Sequence, residues 1–286
     1  MANTKLLTIF VKNISHHLLK LILPQNMIQK NILKKIPIIR RLYPSLIKKI
    51  FKLISKSKIK FNFFGLDLEG DINEPMDKEI YLFNEYENNQ IEYLIGNIRG
   101  SNFEYFIDVG ANSGVYSLII NSEFKNIKIR SFEPIKKSIK KFIINQKLNP
   151  KLKNIKIYKF GLSNKNTSLL MKSKVRDKYI QTGGFGVITK KDKLNHFHIE
   201  KAFFKKGDNI LKIKHKKVVL KIDTEGHEEF VLKGFQNFLR RNKIFLQIEI
   251  YDQHFKKINK FLKKFKFSKL SSFASDGKID YYYKNY

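Results

Sequence analysis

The sequence predicts an α/β fold: a mostly parallel sheet with an antiparallel closing hairpin, preceded by a basic helical extension. From about residue 103 onward, apolar strand-like runs alternate with helical patterns, which is typical of βαβ units. The first of these strands ends in a turn with glycines at 110 and 114, and a helical pattern follows the turn directly. Near the C-terminus, Asp276-Gly277 separates two strand-like runs and is a strong hairpin signal.

Composition sets the outer limits of the interpretation. A chain of 286 residues allows one α/β domain plus an N-terminal segment. The absence of cysteine excludes disulfides and thiolate metal sites, and a cytoplasmic location is expected. The formal net charge of +32 suggests a nucleic acid or an anionic membrane as partner. The excess is almost entirely lysine, however, whereas nucleic-acid sites favour arginine, so a nucleic-acid substrate is disfavoured.

Residues 1–60 are predicted to form the basic helical extension. Charged residues interrupt 4–24 before it reaches the ~20 apolar residues of a membrane span, and no signal-peptide cleavage site follows. Two basic amphipathic stretches, 28–42 and 46–60, come next. The apolar face of the second comprises Leu46, Ile47, Ile50, Phe51 and Ile54. It is either packed on the protein with its lysines solvated, or it lies on an anionic membrane at the inner face of the cell envelope.

The main domain is predicted to occupy 61–286, with its α/β core from about 103. An alternating run over 61–71 predicts a strand or hairpin, and a helix is predicted over 78–98. Tyr86-Glu87 within that helix is interpreted as part of a solvated face. The predicted strands of the main sheet are 103–109, 127–132, 155–160, 217–222, 244–250, 267–272 and 278–283. Between 165 and 216 the alternation lapses, with a hairpin suggested around Met171 and Val187, and this insertion is expected to be an irregular segment that shapes the substrate site.

The turn at 110–114 is the first candidate binding site. Glycines and the free N–H groups of a helix start suit an anionic or hydroxyl-rich ligand, although a purely structural turn is an alternative. The fingerprint G-x-G-x-x-G would need glycines where Asn112 and Val115 stand, so a nicotinamide or flavin cofactor is disfavoured. Glu133 ends the second strand, where an acidic residue can hold ribose hydroxyls.

Three motifs resemble a known family. D-V-G-A-N-S-G at 108–114 followed by F-E-P at 132–134 resembles the class I S-adenosylmethionine (SAM) methyltransferases, and specifically the FkbM type. K-I-D-T-E-G-H-E at 221–228 resembles the second signature of that family. The resemblance covers about 103–283 and implies a Rossmann-like sheet with SAM as cofactor. It implies that the methionine end of SAM is lined by Asp108, Gly110, Ala111, Asn112, Ser113 and Gly114.

The resemblance also assigns the rest of the cofactor site. Glu133 is expected to bind the ribose hydroxyls, and Gly161, Leu162 and Ser163 are expected to flank the adenine. Asp223 is assigned to the cofactor site as well as to catalysis. The acceptor is expected to be selected by the insertion and by the N-terminal hundred residues.

The polar cluster at 223–228 follows an otherwise apolar strand, which indicates a functional site. A hydroxyl acceptor needs a base, and His227 is the best candidate, oriented or assisted by Asp223 or Glu225. A histidine that only caps the next helix is the structural alternative. A divalent cation held by Asp223, Glu225, His227 and Glu249 is a further alternative, but the spacing does not require one and no metal is predicted.

Together these features predict a SAM-dependent O-methyltransferase acting on a hydroxyl of a sugar or glycan, a glycolipid or a small metabolite. The alternatives are an RNA methyltransferase and a membrane-surface protein with a non-catalytic methyltransferase fold. An amine-directed enzyme is disfavoured, because the N/D-P-P-Y/F tetrapeptide common in such enzymes is absent and the fourth strand ends in I-D-T-E-G-H.

Overall fold

The computed structural model describes residues 30, 33, 35–176, 179–189, 195–275 and 277–286. The chain forms two compact units, which divide between Tyr86 and Glu87. Residues 4–24, for which the sequence predicted no membrane span, lie outside the described part. Among the described helices, none combines the length and the apolar character that crossing a bilayer requires.

In its described residues, the first unit combines a β-hairpin with a helix before it and a helix after it. Its elements are α1 (Pro37–Leu53), β1 (Lys58–Phe63), β2 (Leu66–Asp71) and α2 (Pro75–Phe83). β1 and β2 are antiparallel and alternate between buried and exposed side chains, which confirms the predicted hairpin. α1 continues through Pro44 and therefore joins parts of the two stretches that the sequence separated. The predicted boundary at 60/61 falls inside β1.

The second unit is an α/β domain. In chain order its elements are α3 (Asn88–Ile98), β3 (Tyr105–Val109), α4 (Val115–Glu123), β4 (Lys128–Phe132), α5 (Lys136–Leu148), β5 (Ile155–Tyr158), β6 (Gly161–Ser163), β7 (Thr167–Arg176), β8 (Tyr179–Ile180), β9 (Gly186–Val187), β10 (Phe197–Lys206), α6 (Gly207–Ile210), β11 (Lys217–Ile222), α7 (Glu228–Gly234), α8 (Gln236–Arg241), β12 (Lys243–Tyr251), α9 (Asp252–Lys263), β13 (Ser268–Ser275) and β14 (Lys278–Lys284).

The main sheet has the order β13-β14-β12-β11-β3-β4-β5. Strands β12, β11, β3, β4 and β5 are mutually parallel, whereas β14 is antiparallel to both of its neighbours. This confirms the predicted fold class, a Rossmann-like sheet with a closing hairpin. The chain leaves β3 toward β4 on one side and reaches β11 on the other, so a crevice forms where the strand order reverses.

Two local predictions are wrong. The helix expected over 78–98 is broken into α2 and α3, because Asn84 and Glu87 adopt left-handed backbone conformations with φ of 55° and 48°. The insertion is not irregular in its described part, since it forms a second sheet of order β6-β10-β7-β8 with β9 paired to β7. The suggested hairpin is present, with Met171 opposite Val187.

The central strands separate an apolar face from a polar one. Ile107, Leu220 and Ile248 belong to the main hydrophobic core, which helices α7, α8 and α9 cover. The alternate residues point the other way, because side chains of a strand alternate between faces. In register across that second face lie Ser131, Asp108, Lys221 and Gln247, and all four are buried. A row of buried polar side chains therefore crosses the sheet beside the carboxyl ends of β4, β3 and β11, at the crevice.

Candidate cofactor and acceptor site

The glycine turn after β3 is packed tightly against its neighbours. Gly110 has a φ of +85°, and a Cβ there would lie 1.7 Å from the carbonyl oxygen of Asp223. Gly114 has a φ of +82°, and a Cβ there would lie 2.2 Å from the ring of Phe142. Both glycines are therefore required by packing inside the protein, whatever the turn binds.

Glu133 fastens this turn to the end of β4. Its Oε2 accepts a hydrogen bond from the backbone N–H of Asn112, and its Oε1 accepts one from Ile135, each at 2.8 Å. Burial raises the pKa of Glu133 to about 7. Each carboxylate oxygen retains a second acceptor site, so ribose hydroxyls can still bind here. The structure thus places Glu133 beside the predicted cofactor turn.

Asp108 and Lys221 form the floor of the crevice. Asp108 accepts a hydrogen bond of 2.6 Å from the hydroxyl of Ser117, and Lys221 donates one of 2.9 Å to Asp223. Burial opposes the charged form of Lys221, but Asp223, Asp108 and other carboxylates outweigh it and raise its pKa. For the Asp223 carboxyl, burial is outweighed by the charges of Lys221 and Lys278, and its pKa is lowered.

The turn presents polar atoms that suit the methionine end of SAM. In the part of the chain that the structure describes, Oδ1 of Asp108, Oδ1 of Asn112 and Oγ of Ser113 are buried without a hydrogen-bond partner. Buried polar atoms are normally paired, and these three can accept hydrogen bonds from an ammonium group. The residues present therefore fit the cofactor that the sequence motifs imply.

The charge of the crevice also suits a cation. Although the chain has a formal charge of +32, seven of its 25 acidic residues interact electrostatically around the crevice. They are Glu87, Asp108, Glu133, Asp223, Glu225, Glu249 and Asp280. Lys221 and Lys278 lie among them. Carboxyl groups thus outnumber the two ammonium groups, and those that are ionised are complementary to the positive sulfonium and ammonium groups of SAM.

Glu87 is a site residue that the sequence interpretation missed. It accepts a hydrogen bond of 2.7 Å from the hydroxyl of Tyr116, and burial raises its pKa to about 7. The interpretation of this position as a solvated helix face is therefore wrong. The available signal was the position of Tyr86-Glu87, which resembles a Tyr-Glu pair that FkbM-type proteins tend to carry ahead of the first strand.

The segment expected to flank the adenine is buried within the protein. Gly161, Leu162 and Ser163 form β6, which pairs with β10. A Cβ at Gly161 would lie 2.4 Å from the ring of Phe204, and Leu162 is 1% exposed. The side chains of β6 and their neighbours fill the space around this strand. Contact of these residues with adenine stays a prediction.

The signature loop at 223–228 is organised by its last residue. Oε1 of Glu228 accepts hydrogen bonds from the N–H and hydroxyl of Thr224 and from the N–H of Gly226, at 3.0–3.1 Å. The loop holds Glu225 in a left-handed conformation with a φ of 53°. Non-glycine residues in this region are uncommon and cluster at functional sites. The strain therefore points to Glu225 as a functional residue of the loop.

Glu225 belongs to a cluster with residues from two strands, β12 and β14. Its Oε2 accepts hydrogen bonds from Tyr251 at 2.8 Å and from Lys278 at 2.5 Å. Lys278 also forms an ion pair of 2.8 Å with Glu249. Burial, together with the charge of Asp223, raises the pKa of the Glu249 carboxyl against the opposing effect of Lys278, whereas the pKa of Asp223 is lowered.

Sequence reasoning named Glu249 only as a metal ligand, and it missed Tyr251 and Lys278. The carboxylate oxygens of Asp223, Glu225 and Glu249 do lie within 4.8 Å of one another. The ammonium of Lys278, however, already contacts two of these three groups. It supplies the positive charge that a divalent cation would bring to them.

His227 lies away from this cluster. Its Nε2 is 2.9 Å from the hydroxyl of Ser163, and its ring stacks on Phe230. Burial lowers the pKa of His227 to about 4. In the described structure no hydrogen bond joins His227 to Asp223 or Glu225. The residues that the sequence grouped as one catalytic unit are therefore divided between two neighbourhoods.

Structures similar to this chain include precorrin-6Y C5,15-methyltransferase from Geobacter metallireducens, with a TM-score of 0.42 and 11% identity over 68% of this chain and 87% of that one. TYW2 of M. jannaschii in complex with AdoMet gives 0.43 and 12%, over 80% and 87%. The N-terminal domain of human METTL16 in complex with SAH gives 0.42 and 13%, over 78% and 76%.

No curated protein sequence matches the chain. Residues 108–269, more than half of the 286, match the model of the methyltransferase FkbM domain. That range begins at the buried aspartate of the glycine turn and ends in the first strand of the closing hairpin. Because the match spans the turn, Glu133 and the loop at 223–228, the chain belongs to the FkbM family of methyltransferases and uses SAM as its methyl donor.

Proposed function

We propose that the protein transfers a methyl group to a hydroxyl oxygen of a sugar or glycan, a glycolipid or a small metabolite. The observation that carries this proposal is the cluster of Asp223, Glu225 and Glu249 around Lys278. It lies on the β11–β12–β14 side of the crevice, whereas the glycine turn and Glu133 lie on the β3–β4 side. In sheets of this kind ligands bind across the point where strand order reverses. The β11–β12–β14 side is therefore the proposed acceptor site.

Asp223 is the proposed proton acceptor. SAM, when bound, supplies an electrophilic methyl carbon, and the protein must hold the acceptor oxygen in line with it. The acceptor hydroxyl becomes acidic as its oxygen bonds to carbon, so an ionised carboxylate of low pKa is a sufficient base. Such a group contributes about 10²–10⁴-fold to rate. His227 is proposed to support the loop through Ser163 and not to act on the acceptor.

Glu225 is proposed to position the acceptor hydroxyl. Its carboxylate is fixed by Tyr251 and Lys278, which leaves little freedom for it to move. The insertion approaches the same residue, since a Cβ at Gly186 would lie 3.2 Å from the carbonyl oxygen of Glu225. The glycine-rich loop at 183–186 therefore borders the acceptor side. This contact supports the expectation that the insertion shapes the substrate site.

A first experiment is calorimetric titration of the full chain with S-adenosylhomocysteine (SAH), with and without EDTA. Micromolar binding that EDTA does not change is the expected result. Transfer of labelled methyl from SAM to separated glycan, lipid and RNA fractions then identifies the acceptor. Label that is stable as an ether on glycan or lipid supports the proposal. Label on RNA or on an amine, or absence of SAH binding, overturns it.

A further inference from the structure

Helix α1 has two apolar faces. Of the five residues in the face that the sequence singled out, Ile47, Ile50, Phe51 and Ile54 are between 0% and 7% exposed, whereas Leu46 is not buried. This face therefore packs on the protein, as one of the two sequence alternatives expected. A second set of large apolar side chains remains at the surface. Ile38 is 71% exposed, Leu42 62%, Leu46 49% and Leu53 72%.

The exposed residues form one stripe. At about 100° of rotation per residue, the four positions fall within about 80° of one another on the side away from the buried face. A helix face that remains in water is normally polar, so this stripe is unlike a solvated surface. Single exposed apolar residues need no explanation, but four large ones on one side of a helix mark an interaction surface.

The charge around the stripe defines what can cover it. Arg41 and Lys52 are exposed beside it, Lys49 is exposed within it between Leu46 and Leu53, and α1 contains no acidic residue. No Asp or Glu precedes Asp67 in the chain, whereas fourteen lysines and arginines do. A second copy of this region would bring like charges together, which is unfavourable. An anionic surface with an apolar interior is complementary to both the charge and the stripe.

We propose that α1 binds an anionic lipid bilayer, with the stripe inserted at the boundary between headgroups and acyl chains. Amphipathic helices that lie in this plane combine such an apolar face with lysine and arginine at the headgroups. Basic residues near the surface add electrostatic attraction that depends on anionic lipid and falls with salt. The surface is independent of the chemistry proposed above, and it brings the enzyme to hydroxyls at a membrane.

The experiment is sedimentation of the full chain with vesicles of phosphatidylcholine, alone or mixed with phosphatidylglycerol. Binding is expected only to the mixed vesicles and is expected to weaken as salt rises. Replacing Leu42 and Leu53 by Ser should weaken it about tenfold or more, because each leucine then loses its burial in the bilayer. Phe203→Ser is the matched control, since Phe203 is 65% exposed but lies in the second unit.

Unchanged SAH affinity and an unchanged circular dichroism spectrum would show that the double variant is folded. If the double variant does not fold, the single variant Leu46→Ser takes its place. Lys49→Gln with Lys52→Gln should also reduce binding to the mixed vesicles. The proposal is overturned if the wild-type chain does not bind them, or if the stripe variants bind as well as wild type. It is equally overturned if wild type is a dimer that Leu42→Ser with Leu53→Ser dissociates, since the stripe would then be covered by a second copy.

Discussion

Lys278 on β14 forms an ion pair of 2.8 Å with Glu249 on the neighbouring antiparallel strand β12, and the same ammonium contacts Glu225 in the signature loop. Burial alone would lower the pKa of Lys278, but the two carboxylates raise it above its ordinary value. The closing hairpin thus places an ammonium group on the proposed acceptor side of the crevice. That cation joins the last strand of the sheet to the loop that follows β11.

Replacing Lys278 by Met should create a site for divalent cations. Without the ammonium, Glu225 and Glu249 lose their counter-charge while Asp223 keeps that of Lys221, and oxygen ligands at this spacing suit Ca²⁺. Calorimetry should give a Ca²⁺ dissociation constant of about 10⁻⁴–10⁻³ M for the variant. Wild type should show no Ca²⁺ binding in that range. The double variant Lys278→Met with Glu249→Gln should lose the new site. Equal Ca²⁺ binding by wild type would show that the ammonium does not replace a metal.

Replacing Gly110 by Ala should destabilise the fold and abolish SAH binding. The new Cβ would overlap the carbonyl oxygen of Asp223, and the left-handed backbone adds strain. A loss of about 3 kcal/mol or more in the free energy of unfolding is expected, measured by urea denaturation.

Gly96→Ala is the matched control for this change. Gly96 lies inside α3, and no described atom lies within 4 Å of the position of its Cβ. Alanine there should stabilise by about 0.5–1 kcal/mol. A Gly110→Ala protein as stable as wild type would contradict the close approach of the turn to β11.

Local sequence patterns predict one part of the site but not the contacts of Lys278 and His227. The turn at 110–114, Glu133 and the strand before Asp223 are local patterns, and the structure brings them to one edge of the sheet as expected. Lys278 could not be linked to Glu225, because their contact depends on the antiparallel return of β14. His227 was grouped with the acids by adjacency in sequence, but the turn at Gly226 directs it to Ser163 instead.

The insertion was misjudged for another physical reason. β7 and β10 place lysines beside apolar residues on their outer face, so the alternation that indicates a strand is obscured. Ile199 lies opposite Lys172, and Lys201 lies opposite Leu170. Hydrophobic periodicity alone therefore does not identify β7 and β10 as strands.

Replacing Glu133 by Ala should weaken SAH binding by about tenfold or more. The change removes the acceptor for ribose hydroxyls and releases the N–H groups of Asn112 and Ile135, which the carboxylate now holds. Calorimetry measures the affinity. Glu104→Ala is the control, because Glu104 is exposed at the start of the same sheet. If the Glu133 variant binds SAH as wild type does, the carboxylate has no part in the cofactor site.

His227 should make wild type lose stability in acid. Its folded pKa is about 4, against an ordinary value of 6.5, so the unfolded chain binds more protons between these values. Stability attributable to this residue is full above pH 6.5 and falls by up to about 1.4 kcal/mol per pH unit as pH drops toward 4. His227→Gln retains a hydrogen-bonding group for Ser163 but does not titrate.

The measurement is the difference in unfolding free energy between wild type and His227→Gln at several pH values. The advantage of wild type should shrink as pH falls from 6.5 to 4, and contributions from other titrating groups cancel in the difference. A difference that does not change with pH would mean that His227 is not buried in its neutral form.

Lys221 should be a positioning residue whose loss changes the preference between SAM and SAH. Its ammonium is the buried counter-charge of Asp108 and Asp223, and removing one member of such a set costs about 3–5 kcal/mol. In Lys221→Met the crevice is more negative, so SAM, which carries the sulfonium charge, should gain affinity relative to SAH. Thermal shifts with each ligand measure that ratio.

Lys217→Met, a change at the partly exposed start of the same strand, should leave the ratio at its wild-type value. A Lys221→Met protein with an unchanged ratio would show that the ammonium supports the fold without setting the charge that the cofactor meets.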